Sequence, residues 1–508
     1  MEKDAVLTES QLSVGVECTW DSSPPSTDEQ PSRAIHTENL VDWEGPHDPQ
    51  NPQNWPSGKR WGLIVLVSAI TFNQCAFLLP AMASTIFAPG VPQAMRDLHS
   101  SAASSPAVAT LLVSIFVIGL AVGPLFLAPL SELYGRVPLM HASNVAFLVA
   151  AVLAAVSVNI PMLIVARLAM GASTISLGGG YATDLMEPEM RGRAMNVWTV
   201  GPVLAPVVGP IAGGFISLRT TWRWTFGLVA IVGAVAAIVC FFFLPETYPP
   251  RLLQRKAARL RAGTGNMLLR SRYDSPQTPA QLLRASLVRP TRMLLGSPML
   301  GIVSVFLAVA YSYMYLMFTT FTEVFEAAYG FDPGHAGLAY LGLGIGSLVG
   351  QYTYDVFVVW RRRRRLAQGH HARRPEDHLP PLLAAGLLLS VGLFWYGWAL
   401  EYRVHWVVPI VGTGVCGVAI TYFFLAVQTY LIEAFTLYAA SALAANTVVR
   451  CVFGVTVPLA GPSLYSRLGL GWGNSLLGFL ALAVVPASLW LLRNGERIRS
   501  TSRFDAQV

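Results

Sequence analysis

Five hundred and eight residues, 53% hydrophobic and only 12% charged with a mean hydropathy of +0.50, exclude a string of soluble domains, in which about a quarter of residues carry charge. The formal charge of +7 is unevenly placed: residues 1–58 hold eleven acids against Lys3 and Arg33, so the rest of the chain carries 33 bases against 17 acids. Those bases sit between apolar windows and form no aromatic-interleaved stripe, which argues against nucleic acid as a partner and for the loop bias of a polytopic membrane protein.

In chain order, residues 1–58 read as a disordered, acidic cytoplasmic tail with no basic start and no early apolar run, so no cleaved signal is expected. A helix needs about 20 mostly apolar residues to cross the bilayer. Twelve windows qualify: 61–83, 106–130, 138–158, 161–186, 194–216, 223–245, 297–320, 335–360, 380–400, 406–432, 441–464 and 471–493. Six belong to an N-terminal bundle, 59–246, and six to a C-terminal bundle, 297–493; a basic cytoplasmic linker, 247–296, joins them, and 494–508 is a cytoplasmic tail. The linker stretch RLLQRKAARLR at Arg251–Arg261 has leucines at helical spacing, which suits a helix on the inner leaflet or a solvated basic connection. With the N-terminus inside, 26 Lys and Arg fall on the cytoplasmic side against five opposite, so both termini are predicted to be cytoplasmic. The second window carries Gly119 and Gly123 and the eighth Gly346 and Gly350, each followed by charge, a faint internal repeat.

Charged residues inside the windows are expensive and so informative. An unpaired guanidinium at the bilayer centre costs about 2.5–3.5 kcal/mol on insertion scales, so Arg167, two turns into the fourth helix, is predicted to face a central cavity, with Gly171 giving close helix contact. Arg450, beside Asn446 in the eleventh, is the second such charge, and Glu433 is its candidate partner. Among the acids, Asp184 shares a helix with Arg167, whereas Asp355 and Glu433 lie at other helix ends. Gly209, Pro210, Gly213 and Gly214 crowd the fifth helix, where small residues let neighbours approach. Tyr311, Tyr313, Tyr315 and Phe318, with Tyr422, Phe423, Phe424 and Gln428, are candidate lining of a midplane cavity, and Asn73 and Gln74 are the polar residues of the first helix. Alternate tyrosines cannot share one helical face, so some must pack elsewhere.

Four of the five cysteines (Cys75, Cys240, Cys416, Cys451; the fifth is Cys18) fall in apolar windows, so neither a disulfide framework nor a metal site is expected, and no cofactor. His141, His335 and His405 are scattered, which disfavours a membrane-embedded transferase, and the absence of a GxxxxGK[ST] loop excludes intrinsic ATP-driven pumping.

Seven ordered motifs then carry a resemblance: DPQNPQNW at Asp48–Trp55, PLSELYGRVP at Pro129–Pro138, RLAMGAS from Arg167, GPxxGG at Gly209–Gly214, LPETYPPRLL from Leu244, YAASALAANTVVRCVFG at Tyr438–Gly454 and LGLGWGNSLLGF around Trp472. The chain resembles the fungal twelve-helix drug:proton antiporters of the major facilitator superfamily. That resemblance implies an all-α membrane protein of two six-helix pseudo-repeats and proton-coupled efflux of an amphipathic organic compound, either a toxic secondary metabolite or a xenobiotic. It makes Arg167 the proton-coupling arginine; Asp184, on the same helix, is the candidate proton carrier ahead of Asp355 and Glu433. Glu132, Gly135 and Arg136 become an inner gating loop latched across the two halves, and Gly209, Pro210, Gly213 and Gly214 the antiporter helix. It further implies a plasma-membrane monomer whose partners are its small-molecule substrate, protons and lipid. A polyamine or other small-solute carrier of the same fold, or a non-transporting sensor, is the alternative.

Overall fold

The computed structural model describes residues 39–45, 48–71, 85–98, 105–174, 184–187, 190, 208–273, 279–369, 375–435 and 438–501. Asn73 and Gln74 lie outside the described residues, as do residues 1–38 of the tail. The helices are α1 (Ser57–Thr71), α2 (Val91–Asp97), α3 (Pro106–Tyr134), α4 (Arg136–Ala155), α5 (Ile160–Ala172), α6 (Arg223–Phe243), α7 (Pro249–Thr264), α8 (Pro279–Gly296), α9 (Pro298–Tyr329), α10 (Pro333–Leu338), α11 (Tyr340–Ala367), α12 (Pro381–Glu401), α13 (Val407–Ala434) and α14 (Ala439–Thr501). Residues 208–219 are also helical, so every one of the twelve windows carries helix in its described part. Seven of the described helices are long and apolar enough to cross a membrane. One of them, α14, holds two windows and turns at Gly469, whose φ of 74° is left-handed and costs a glycine nothing sterically.

Exposed apolar stripes identify the solvent. Val145, Val149, Val152 and Val156 follow helical spacing along α4, and Ile231, Val235, Ile238 and Phe242 do so on α6, all more than half exposed. Water would not tolerate such patches; hydrocarbon does. Inside, the largest apolar cluster surrounds α9 and is built from α11 to α14, but it also takes in Val117 and Ala121 of α3. A second cluster joins Phe87, Phe116 and Phe226 within the first half.

The glycine echo has a structural meaning. A methyl group built on Gly119 or Gly123 would overlap the backbone of Leu168 or Ala172 on α5, and one on Gly346 would overlap Gly414 on α13. The second window therefore packs backbone-to-backbone on the fourth, and the eighth on the tenth, the same pairing in each half. Helix ends are closed by side chains: Asn159 accepts from Met162 N–H at 2.8 Å, Asp332 accepts from His335 N–H at 2.8 Å, and Glu401 accepts from Gly471 N–H at 3.0 Å after the Gly469 turn.

Three boundaries need correction. The disordered reading of residues 1–58 does not hold for the described part. Asp48 accepts the N–H groups of Glu44 and Gln50, Asn51 caps a short 3-10 turn at Pro52–Asn54, and Lys256 of α7 pairs with Glu44 at 3.0 Å and Asp48 at 3.5 Å. Arg272 adds a 2.8 Å pair with Asp42. Burial alone would raise the Asp48 pKa, but those N–H groups and the Lys256 charge hold it below the ordinary carboxylate value. The linker stretch Arg251–Arg261 is helical within α7, yet Leu253 and Ala257 are fully buried, so its apolar face packs on protein rather than on lipid. Finally, the last helix runs to Thr501, past the predicted end at 493.

Candidate functional site

Arg167 on α5 has no exposed surface. Its guanidinium donates to the Val113 carbonyl of α3 at 3.2 Å and lies over the rings of Phe87, Phe226 and Phe116 at 5.0, 5.7 and 5.9 Å. A desolvated cation gains about 2 kcal/mol or more from a ring face, so three rings offset much of the cost of burial. From the second half, Tyr315 of α9 is its electrostatic neighbour. Tyr315 lies one turn from Tyr311, and their ring centroids are 4.9 Å apart. Tyr311 in turn lies 4.7 Å under the guanidinium of Arg450, which Phe424 flanks at 5.9 Å. Asn446, fully buried, is one turn before Arg450 on α14. Two tyrosine rings on one face of α9 thus neighbour the two intramembrane arginines, Tyr311 under Arg450 and Tyr315 as the electrostatic neighbour of Arg167.

Tyr313 shows the other face: it donates to the Leu477 carbonyl of α14 at 3.1 Å and is packing. Phe318, the turn after Tyr315, continues the aromatic row to Tyr340 at 5.7 Å. Tyr422 does not join the arginine array. Its ring meets Tyr354 at 5.8 Å, near a network in which Tyr354 bonds Thr429 at 3.1 Å and His378 at 3.4 Å. Glu433 pairs with His378 at 3.3 Å, so the expected Glu433–Arg450 tie is replaced by a histidine partner. Gln428 is half-buried on α13, one turn from Phe424.

The gating loop forms a dense polar knot. Gly135, with φ 97°, turns the chain between α3 and α4. The first N–H groups of α4 have no intrahelical partner, and Glu246 supplies one: its carboxylate accepts from Arg136 N–H and Val137 N–H, both at 3.2 Å. The Arg136 side chain meets Asp184 through two atoms at 2.7 and 3.3 Å and stacks on Tyr248 at 4.9 Å, and Thr247 donates to the same Asp184 at 3.4 Å. Glu132 has Arg136 and Arg289 of α8 as its nearby cations. The latch was expected to span the two halves. Among the described residues its ion pair joins Arg136 to Asp184 within the first half, while Glu132 is near Arg289 of α8, whose guanidinium lies over the Tyr438 ring of the second half at 5.2 Å. Glu246, Thr247 and Tyr248 were missed as site residues; their only sequence signal was the LPETYPPRLL motif.

The antiporter helix sits at a seam. A methyl group on Gly213 would overlap the Ile86 carbonyl of the first half, and one on Gly214 the Pro333 carbonyl of the second; one on Gly337 would in turn sit 2.8 Å from the Pro210 carbonyl. The backbones touch because three glycines have no side chain. Gly334 and Gly337, on the short helix α10, were not singled out by the sequence.

Helical halves of matching packing, lipid-facing stripes and a buried polar array between them define a polytopic solute carrier. Comparison with known proteins makes this specific. The model of the Major Facilitator Superfamily matches residues 75–458. The chain is 46% identical over 476 residues to the efflux pump radE of Floropilus chiversii, covering 92% of this chain and 86% of that one. It is 43% identical to the MFS-type transporter tndD of Aspergillus flavipes, with the same coverage. Among solved structures, the inward-open xylose transporter XylE of E. coli superposes with a TM-score of 0.60 at 15% identity, covering 85% of this chain and 95% of that one, a likeness of fold. The chain belongs to the Major Facilitator Superfamily and is a multi-pass membrane transporter, not an enzyme.

Proposed function

We propose that the protein exports an amphipathic aromatic compound, a toxic secondary metabolite or a xenobiotic, in exchange for protons. The observation that carries this reading is the array Arg167, Tyr315, Tyr311 and Arg450. Ring faces suit flat organic molecules, and two buried guanidiniums repel a polycation, which disfavours the polyamine alternative. The relatives' names, an efflux pump among them, favour export. Gly209, Pro210, Gly213 and Gly214 serve as the seam on which the halves close.

For coupling, Arg167 holds the site's fixed charge and Asp184 is the proposed proton carrier. Rupture of its 2.7 Å pair with Arg136 leaves a buried carboxylate without its cation, and such a group takes up a proton more readily. The bias of Lys and Arg supports cytoplasmic termini, and a plasma-membrane location and a monomeric state are proposed from the family resemblance. The test is efflux of a fluorescent aromatic compound from cells expressing the protein. A protonophore is expected to abolish it; efflux that continues at full rate without a proton gradient removes the antiport reading.

A further inference from the structure

The run Arg361–Arg365 at the end of α11 is not a uniform charged patch. Arg361 and Arg365, one turn apart, both point at Asp377: Arg361 lies 3.8 Å from it and Arg365 forms a close ion pair. Arg362 and Arg363 are exposed and take no part in the groove that their neighbours line. Arg364, also exposed, lies over the Trp360 ring at 5.4 Å. Together with Trp360, Arg361 and Arg365 it lines a groove of about 470 Å³, whose far wall is Leu492, Arg493 and Glu496 of α14.

Two apolar stripes lead into this groove. On α11, Val349, Tyr352, Val356 and Val359 are 48–71% exposed at helical spacing, and Trp360 then Arg364 continue along the stripe's edge. On α14, Leu482 and Leu489 are exposed, followed by Trp490 and the exposed Arg493. Each helix therefore delivers lipid-facing residues, then a tryptophan of the interfacial belt, then an arginine at the groove's mouth. A soluble anion would need only the arginines. The stripes add a place for acyl chains directly below them.

We propose that the groove between the arginine-rich ends of α11 and α14 binds one anionic glycerophospholipid, with its phosphate between Arg364 and Arg493 and its chains along the two stripes. Asp377 is already matched by two arginines, so it does not oppose the phosphate. Glu376 and Glu496, which complete the lining, face a head group's ammonium or hydroxyls and reject one bearing several phosphates. Phosphatidylserine fits this pattern. The orientation proposed above decides only which leaflet supplies the lipid, and the binding assay does not depend on it.

The test is native mass spectrometry of the purified full-length protein with phosphatidylserine or phosphatidylcholine. Wild type is expected to retain one phosphatidylserine under conditions that strip phosphatidylcholine, and R364A/R493A to lower that retention at least about tenfold, or 1.4 kcal/mol. R362A/R363A, which removes the same charge outside the groove, is expected to retain it. Equal losses in the two double variants, or none in either, overturn the site in favour of diffuse attraction. Competition by soluble glycerophosphoserine at the lipid's own concentration overturns the lipid in favour of a free anion. If R364A/R493A does not fold, a photoreactive phosphatidylserine decides on wild type: cross-links at 357–368 and 489–497 support the groove, and cross-links elsewhere sink it.

Discussion

The two buried arginines solve one problem differently. Arg167 is surrounded by three phenylalanines and a backbone carbonyl of the first half, and Tyr315 of the second half is its electrostatic neighbour. Arg450 lies on a tyrosine and a phenylalanine of the second half, with the amide of Asn446 one turn away. The first charge is surrounded by rings of its own half, whereas the second stacks on the tyrosine row of α9 that carries the proposed substrate array. On that contrast we propose Arg167 for coupling and Arg450 for substrate contact.

That contrast can be broken by measurement. Arg167→Ala is expected to lower efflux at least about tenfold, a loss of 1.4 kcal/mol or more, at unchanged membrane abundance. Arg167→Lys should fail nearly as badly, because an ammonium lacks the planar face that stacks between rings. Asp184→Asn, which removes the proposed proton carrier and its ion pair with Arg136, is expected to lower proton-driven efflux as far as Arg167→Ala does and to remove its dependence on external pH; an unaltered pH profile would return Asp184 to a purely structural role. Arg450→Ala should cost about three- to tenfold, or 0.7–1.4 kcal/mol, mostly as a raised apparent KM. If instead Arg450→Ala stops turnover and Arg167→Ala shifts only KM, the two roles are exchanged. The smallest effect on efflux is expected at the clasp before α1. Lys256→Ala leaves the buried Asp48 carboxylate without its cation and should lower stability by about 1–3 kcal/mol, read as a drop in Tm with efflux unchanged. Removal of residues 1–45 should behave likewise, since Asp48 and its turn remain.

Why some of this was legible in advance is clear from particular residues. Arg167 and Arg450 declared themselves because a charge among apolar residues has few explanations. Tyr311 and Tyr315 could be separated from Tyr313 by the 3.6-residue period alone, and the structure puts them on opposite faces as that period requires. Gly119 and Gly346 marked helix contacts because small residues in a span serve close approach. By contrast, Tyr422 and Phe424 were equally plausible as lining, and only their neighbours Tyr354 and Arg450 distinguish them.

The sequence by itself determined the solvent, the helices and which residues were too costly to be accidental, because hydrophobicity and charge are local properties that a bilayer reads window by window. Partnership is a different matter. That Glu246 closes the start of α4 from 110 positions away, that Asp184 belongs to Arg136, and that Gly214 meets Pro333 depend on where separate helices come to rest. Only the tertiary structure decided these, since a side chain finds whatever its packed neighbours bring within a few ångströms, and chain distance carries almost no information about that.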